Sequence, residues 1–249
     1  MSVYEHFKGD EAFVSKVLDY KNQAQNGRMV LTKFLNPHEQ DVVHSVVGNS
    51  CAVHAEGGFV DAESKRLIIA PDYYEIYPED FKIKVYEVHY SEKFEHLGHR
   101  DVLGALMHLG MNRDCFGDID QHPLAFAVCE ENSEYVLLNL KKIKKSSIRL
   151  SEHDFSLALN QQFKKKELVA SSLRLDKILG LLYGLSRGKS VDAIKAQYVK
   201  VNHKIIEQTD YLCNNNDIIS FRHHGRVKLV VTDRVTKAGN YVVEGLFYL

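Results

Sequence analysis

The 249 residues are 45% hydrophobic and 26% charged, with a formal net charge of -1, which excludes disorder throughout and allows two or three small domains with real cores. That near-zero charge conceals a division: residues 1–140 hold 12 Lys+Arg against 23 Asp+Glu, and residues 141–249 hold 20 against 10. A chain polarised in this way offers a polyanion one attractive surface and one repellent surface, although a solvated basic surface without a partner would give the same count.

The N-terminus has no basic start followed by an apolar run, and no stretch approaches the ~18 apolar residues that cross a bilayer. The expected address is the cytoplasm, without membrane insertion. Cys51, Cys115, Cys129 and Cys213 form no C-x-x-C pair and read as reduced, mostly buried thiols.

In chain order, Phe13, Val14, Val17, Leu18 and Tyr20 recur near helical spacing, and Asn36-Pro37 opens a second helix with Pro37 at its tolerated first position. Residues 51–59 and 66–71 read as strands separated by Gly57-Gly58 and a polar turn. Next come a strand (82–90), a helix (99–109, stopped by Gly110), two strands (117–120 and 124–129), a helix (133–142) and a closing strand (146–150). This order predicts a split βαβ plait of the RRM-like, ferredoxin-like kind, without the aromatic stacking signature of an RNA-reading RRM. Residues 151–170, including Lys164-Lys165-Lys166, read as a connector.

From Ser171 onward, Leu175, Ile178, Leu179 and Leu182 make one apolar stripe of a short helix, with Arg174 and Lys177 off it. Gly184 ends that helix, and Ser186 caps a second one whose Val191 and Ile194 face inward. A helix start offers open N–H groups and partial positive charge, so a phosphate fits at Ser186-Arg187-Gly188-Lys189-Ser190, with Arg187 and Lys189 closing around it. Residues 199–204 alternate into a turn, and 217–221 read as a returning strand.

Arg174-Leu175-Asp176-Lys177, Leu185-Ser186-Arg187, Ala193-Ile194, Val199 with Val201-Asn202, and Asp217-Ile218-Ile219 together resemble the S4 family of RNA-binding modules. That family usually has Gly before its V-x-V-N strand and again after the Asn, where this chain carries Tyr198 and His203. A wider set of segments resembles the YlmH family of bacterial proteins, which carry an S4 module at the C-terminal end. These are residues 34–40 (Phe34 to Gln40), Pro71-Asp72-Tyr73-Tyr74, residues 99–106 (His99-Arg100-Asp101 onward), Phe116-Gly117-Asp118-Ile119 and residues 225–229. Where that family commonly has Thr before His99, this chain has Gly98. The resemblance implies binding to the large ribosomal subunit near tRNA in ribosome-associated quality control, from genes that often lie among cell-division genes.

Several motifs invite other readings. Arg174-Leu175-Asp176 is similar to the R-L-D of pseudouridine synthases, but Lys177-Ile178-Leu179 replaces the small residues expected next, so Asp176 reads as structural, orienting Arg174. His99-Arg100-Asp101 imitates a kinase catalytic loop, but Leu106 stands where Asn belongs and no Gly-rich loop accompanies it, so it reads as a helix start. His96 with His99, and His223 with His224, lack a second ligand pair for zinc.

The combined expectation is an α+β protein with a helix-and-sheet N-terminal unit (1–75), an RRM-like middle domain (76–160) and a C-terminal S4 module with a β-extension (171–249). Its expected partners are rRNA and tRNA on the large subunit, with division or quality-control proteins as further candidates, and no catalytic residue, metal or cofactor is expected. Arg174, Lys177, Arg187, Lys189, Lys195, Lys200 and Lys204 are expected to meet RNA phosphates, and Ser186, Ser190 and Asn202 to add hydrogen bonds. Recognition is expected to rest on RNA shape, since few exposed aromatics are foreseen for stacking. An RNA-modifying enzyme of pseudouridine-synthase type and a cell-division adaptor using the acidic half are the competing readings.

Overall fold

The structure, a computed structural model, describes residues 7, 9–93, 95–153 and 163–248, and the chain divides into two compact units, Met1–Asn160 and Gln161–Leu249. The first unit opens with α1 (Glu11–Gln25), which buries Val14, Val17 and Ala24 along the stripe seen in the sequence. β1 (Val30–Leu35) follows. α2 (Pro37–Val47) starts on a full capping box: Asn36 Oδ1 accepts from Glu39 N at 3.1 Å, and Glu39 Oε2 accepts from Asn36 N at 2.8 Å. β2 (Ala52–Glu56) and β3 (Lys65–Ala70) complete an antiparallel sheet in the order β1-β3-β2.

Next come β4 (Ile83–His89), α3 (His99–His108), β5 (Phe116–Gln121), β6 (Leu124–Cys129), α4 (Glu130–Asn139), the two-residue strands β7 (Lys142–Ile143) and β8 (Ser146–Ser147), and β9 (Arg149–His153). The long strands form an antiparallel sheet in the order β5-β6-β4-β9, the order of a split βαβ plait. α4 begins three residues earlier than 133 because Glu130 N donates to Lys82 O at 2.8 Å as β6 ends, and its acidic first turn suits the helix N-terminus. The closing strand lies later than 146–150 because Ser146–Ser147 is held in the β7–β8 hairpin, which Ile143 anchors at 1% exposure. His99-Arg100-Asp101 is a helix start: Asp101 Oδ2 accepts from Gly98 N at 3.0 Å.

Residues 1–75 and 76–160, expected as separate domains, share a core. Phe34, Phe59 and Ile68 are buried with Phe81, Ile83, Val85 and Ala127 in one cluster. The backbones approach so closely that a Cβ on Gly117 would stand 2.7 Å from Phe34 Cε1, and one on Gly58, held at φ +85°, would stand 2.9 Å from Ile83 Cγ2. Arg66, 3% exposed, ties the same seam: its guanidinium donates to Thr32 O and Lys82 O, both at 2.8 Å, and to Glu131 at 3.1 and 3.3 Å.

The second unit consists of β10 (Phe163–Ala170), α5 (Leu175–Tyr183), α6 (Arg187–Lys195), β11 (Val199–Val201), β12 (Lys204–Ile205), β13 (Ile218–Phe221), β14 (Gly225–Val235) and β15 (Tyr241–Tyr248). The strands form one antiparallel sheet in the order β10-β15-β14-β13-β11-β12. α5 and α6 cover one face, burying Leu175, Ile178, Leu179 and Ile194 against Val199, Ile219, Val227 and Val243. The expected connector, 151–170, is strand where it is described: 151–153 finish β9, and 163–170 are an edge strand paired to β15 along its whole length, while 154–162 lie outside the described residues.

All four cysteines are buried free thiols, and burial pushes those of Cys129 and Cys213 up to about 12. Among the described residues, no helix is long and apolar enough to cross a membrane.

Candidate nucleic-acid interface

A buried carboxylate organises the edge where α5 and α6 begin. Asp176, 1% exposed, receives Arg174 in bidentate fashion, Nε to Oδ1 at 3.1 Å and Nη2 to Oδ2 at 3.0 Å, and it also accepts Lys177 N at 2.9 Å. Arg187 Nε lies 3.7 Å from the same carboxylate while its side chain remains 76% exposed. The Arg174 hydrogen bond holds the Asp176 carboxyl below its ordinary range despite burial. The carboxylate thus fixes Arg174, while Arg187 only approaches it, so two guanidiniums stand beside one anion at this edge. Asp176→Ala is expected to cost about 2–3 kcal/mol, the range for unpairing a buried hydrogen-bonded charge. Urea denaturation measures this, and an unchanged midpoint would show that the clamp carries no structural weight.

The two helix starts at this edge differ. At α5, Leu175 N donates to Tyr211 O at 2.8 Å and Asp176 N to Thr209 O at 3.1 Å, so the chain itself occupies that terminus. At α6, Ser186 caps by accepting Lys189 N at 3.4 Å, and Arg187, Gly188 and Lys189 are all exposed around the first turn. Gly184, at φ +68°, closes α5 with a left-handed turn and delivers the chain to Ser186 within two residues. Of the two, the α6 terminus is therefore the more open helix start.

The ten residues expected at one site separate. Arg174, Ser186, Arg187 and Lys189 gather at the helix edge, and Lys177 stands beside Asp176 with its Nζ donating to Ser171 Oγ at 3.0 Å. Ser190 is 0% exposed and donates to Ser186 O at 3.2 Å; it packs α6 on α5 at Gly180 rather than facing a ligand. Lys195 is exposed in the last turn of α6, about 12 Å along the helix from Arg187. Asn202 is spent on the fold: Nδ2 donates to Asp217 Oδ1 and Oδ1 accepts from Ile218 N, both at 2.8 Å. With φ +49° at Asn202 and +69° at His203, the β11–β12 turn keeps the doubly left-handed form that Gly ordinarily favours. Lys200 alternates to the sheet face opposite the helices, and Lys204 is half-buried in β12.

Sequence reading missed the Thr209 and Tyr211 carbonyls, for which no local signal exists. It also missed an exposed aromatic set: Tyr198 is 45% and Phe163 38% exposed. Arg222 lies over the Tyr198 ring at 5.3 Å, and Arg226 over that of Tyr248 at 4.4 Å. Period-two alternation of Arg222, Arg226 and Lys228 with Phe221, Val227 and Leu229 was the available signal. His224 stacks on Phe221 with ring centroids 4.2 Å apart.

Residues 173–219 match the family model "S4 domain", residues 77–157 match "Putative RNA-binding domain in YlmH", and residues 9–74 match "YlmH, N-terminal". The chain is 34% identical over 249 residues to ribosome-associated protein quality control protein P2 of Bacillus subtilis (strain 168), covering 97% of this chain and 96% of that protein. The chain belongs to the YlmH family. The solved structure of cell division protein ylmH from Streptococcus pneumoniae shares 29% identity with this YlmH chain at a TM-score of 0.52, covering 59% of this chain and 93% of that one. The organised helix edge lies inside the S4 match, so this YlmH protein carries its clearest anion-binding geometry in a recognised RNA-binding domain.

Proposed function

We propose that this protein binds ribosomal RNA of the large subunit, with tRNA nearby, as a non-catalytic cytoplasmic factor in ribosome-associated quality control. The observation that carries this reading is the α6 start within the S4 match, capped by Ser186 and flanked by Arg187 and by Arg174, which Asp176 fixes in place. Residues 161–249 hold 15 Lys+Arg against 8 Asp+Glu, so the electrostatic footprint suits a phosphate backbone. The name of the Bacillus relative supports the ribosomal and quality-control part. Asp176 is 1% exposed and spent on Arg174, an arrangement suited to positioning an arginine and not to attacking a base.

Co-sedimentation with separated small and large subunits over a salt series tests the proposal. Selective large-subunit binding is expected, its log affinity falling with log salt by about 0.7–0.9 per phosphate contact. Equal binding to both subunits, or none at low salt, overturns it. The division-protein name of the Streptococcus relative favours a second reading, an adaptor for the division machinery that uses the acidic first unit. Capture of division proteins that persists after RNase treatment, with no ribosomal material beforehand, would select it.

A further inference from the structure

Strand alternation gives the sheet of the second unit two chemically different faces. The strand residues of its core cluster, among them Val199, Ile219, Val227 and Val243, all lie on the face that α5 and α6 cover. The register aligns the opposite set into rows. Lys200 pairs with Ser220, Ser220 with Arg226, and Tyr248 with Phe163, while the Val227–Phe247 pair brings Tyr248 beside Arg226. One row therefore crosses five strands with basic and aromatic side chains. Arg226 lies over the Tyr248 ring at 4.4 Å, and Phe163 meets that ring edge-on at 4.9 Å. The next row runs Lys165, Leu246, Lys228 and Ile218. Tyr198, under Arg222, continues the same face beyond Lys200.

Rings laid on a sheet with cations between them form a platform for unpaired nucleotides: bases stack on aromatic faces with little regard to sequence, and arginine and lysine take the phosphates. From β11 to β10 the platform spans about 19 Å, four strand spacings, room for a short run of nucleotides. The carboxylates of this face, Glu167 and Glu244, lie towards one end and are engaged by Arg234 and Lys165. A peptide adding a strand would use the edges β10 or β12 and leave this face untouched.

We propose that the helix-free face of this sheet binds single-stranded RNA, with bases on Tyr198 and the Phe163–Tyr248 pair and phosphates on Lys200, Arg222 and Lys228. The proposal rests on the reading that this unit binds RNA and extends it from the helix edge to a second surface. Lys200 thereby belongs to the platform and not to the helix edge.

Fluorescence anisotropy of the full chain with an unstructured oligouridylate, and separately with a duplex hairpin RNA, tests this. Tyr198→Ala combined with Lys228→Glu is expected to weaken oligouridylate binding by about 10-fold or more and to leave hairpin binding within about twofold. Arg187→Glu with Lys189→Glu should do the reverse. Should the first variant lose thermal stability, Arg222→Glu with Lys228→Glu reads out the same face without touching the rings. Oligouridylate binding unchanged in folded face variants overturns the proposal, as does a native chain that fails to bind oligouridylate at low salt; hairpin binding through the helix edge would survive both results. If the face variants instead abolish a concentration-dependent dimer seen by sedimentation and leave RNA binding intact, the face joins copies of this chain and the proposal falls.

Discussion

Reversing the charges of Arg187 and Lys189 together is expected to lower affinity for the large subunit about 30-fold or more at ~0.1 M salt, and to flatten the salt slope by about 1.4–1.8. The magnitude follows from losing two phosphate contacts, each releasing roughly one counterion, before any repulsion from the new glutamates. Both side chains are exposed, and the ion pair that Arg187 makes among the described residues is a loose 3.7 Å approach to Asp176, so the urea midpoint should hardly change. Binding that survived in a folded double variant would remove the α6 terminus as the RNA surface. Arg174 is a poorer target for this test, because its guanidinium completes the Asp176 pair and its loss mixes folding with binding.

Replacing Arg66 with Met is expected to cost the first unit about 3 kcal/mol, chiefly from two charge-assisted hydrogen bonds to seam carbonyls at roughly 1.5 kcal/mol or more each, since its ion-pair partner Glu131 is 42% exposed. The substitution removes the guanidinium's hydrogen bonds to the carbonyls of Thr32 and Lys82, of which the second keeps Glu130 N, in a seam that also buries Phe34 and Ile83. Acid should reveal the same network. Partial burial alone would raise the Glu131 carboxyl, but the Lys33 hydrogen bond at 2.5 Å, aided by Arg66, outweighs it and holds the group at about 2. A carboxylate depressed in the folded state stabilises above its ordinary value of about 4.3 and ceases to do so as pH falls towards 2. Urea midpoints of the native chain should therefore fall between about pH 4 and 2 more steeply than those of Glu131→Gln. Parallel curves would show that the pair contributes nothing to folding.

The helices were legible because their signals are local. The stripe of α5, the Asn36-Pro37 start and the Ser186 cap each lie within a turn or two of sequence. β1 escaped because buried Thr32 interrupts its apolar pattern; its hydroxyl is satisfied by Leu67 N at 2.9 Å and Lys33 O at 2.7 Å. The merged core escaped because Phe34 meets Gly117, a contact that no window of sequence contains. At the site, residue type located the arginine and lysine cluster, since charge declares itself. It failed at Ser190 and Asn202, where a hydroxyl and an amide suited to a ligand are consumed by a helix carbonyl and a hairpin. The outward aromatics were missed because alternation in β14 and β15 tells inside from outside only once the strands are paired.

Lys164-Lys165-Lys166 lies on β10, an edge strand. β10 and β15 are the first and last described strands of the second unit, and joining such distant segments returns contacts only after most loop entropy is spent. The nearby hairpins should therefore assemble first and β10 dock late, leaving β15 with an open row of backbone donors and acceptors in the meantime. Once docked, β10 becomes the outer margin of the finished sheet, and its three consecutive ammonium groups make that margin a poor template for another chain. Of the sheet's two edges, β10 with eight residues and β12 with two, the longer is thus the one that carries charge against such pairing.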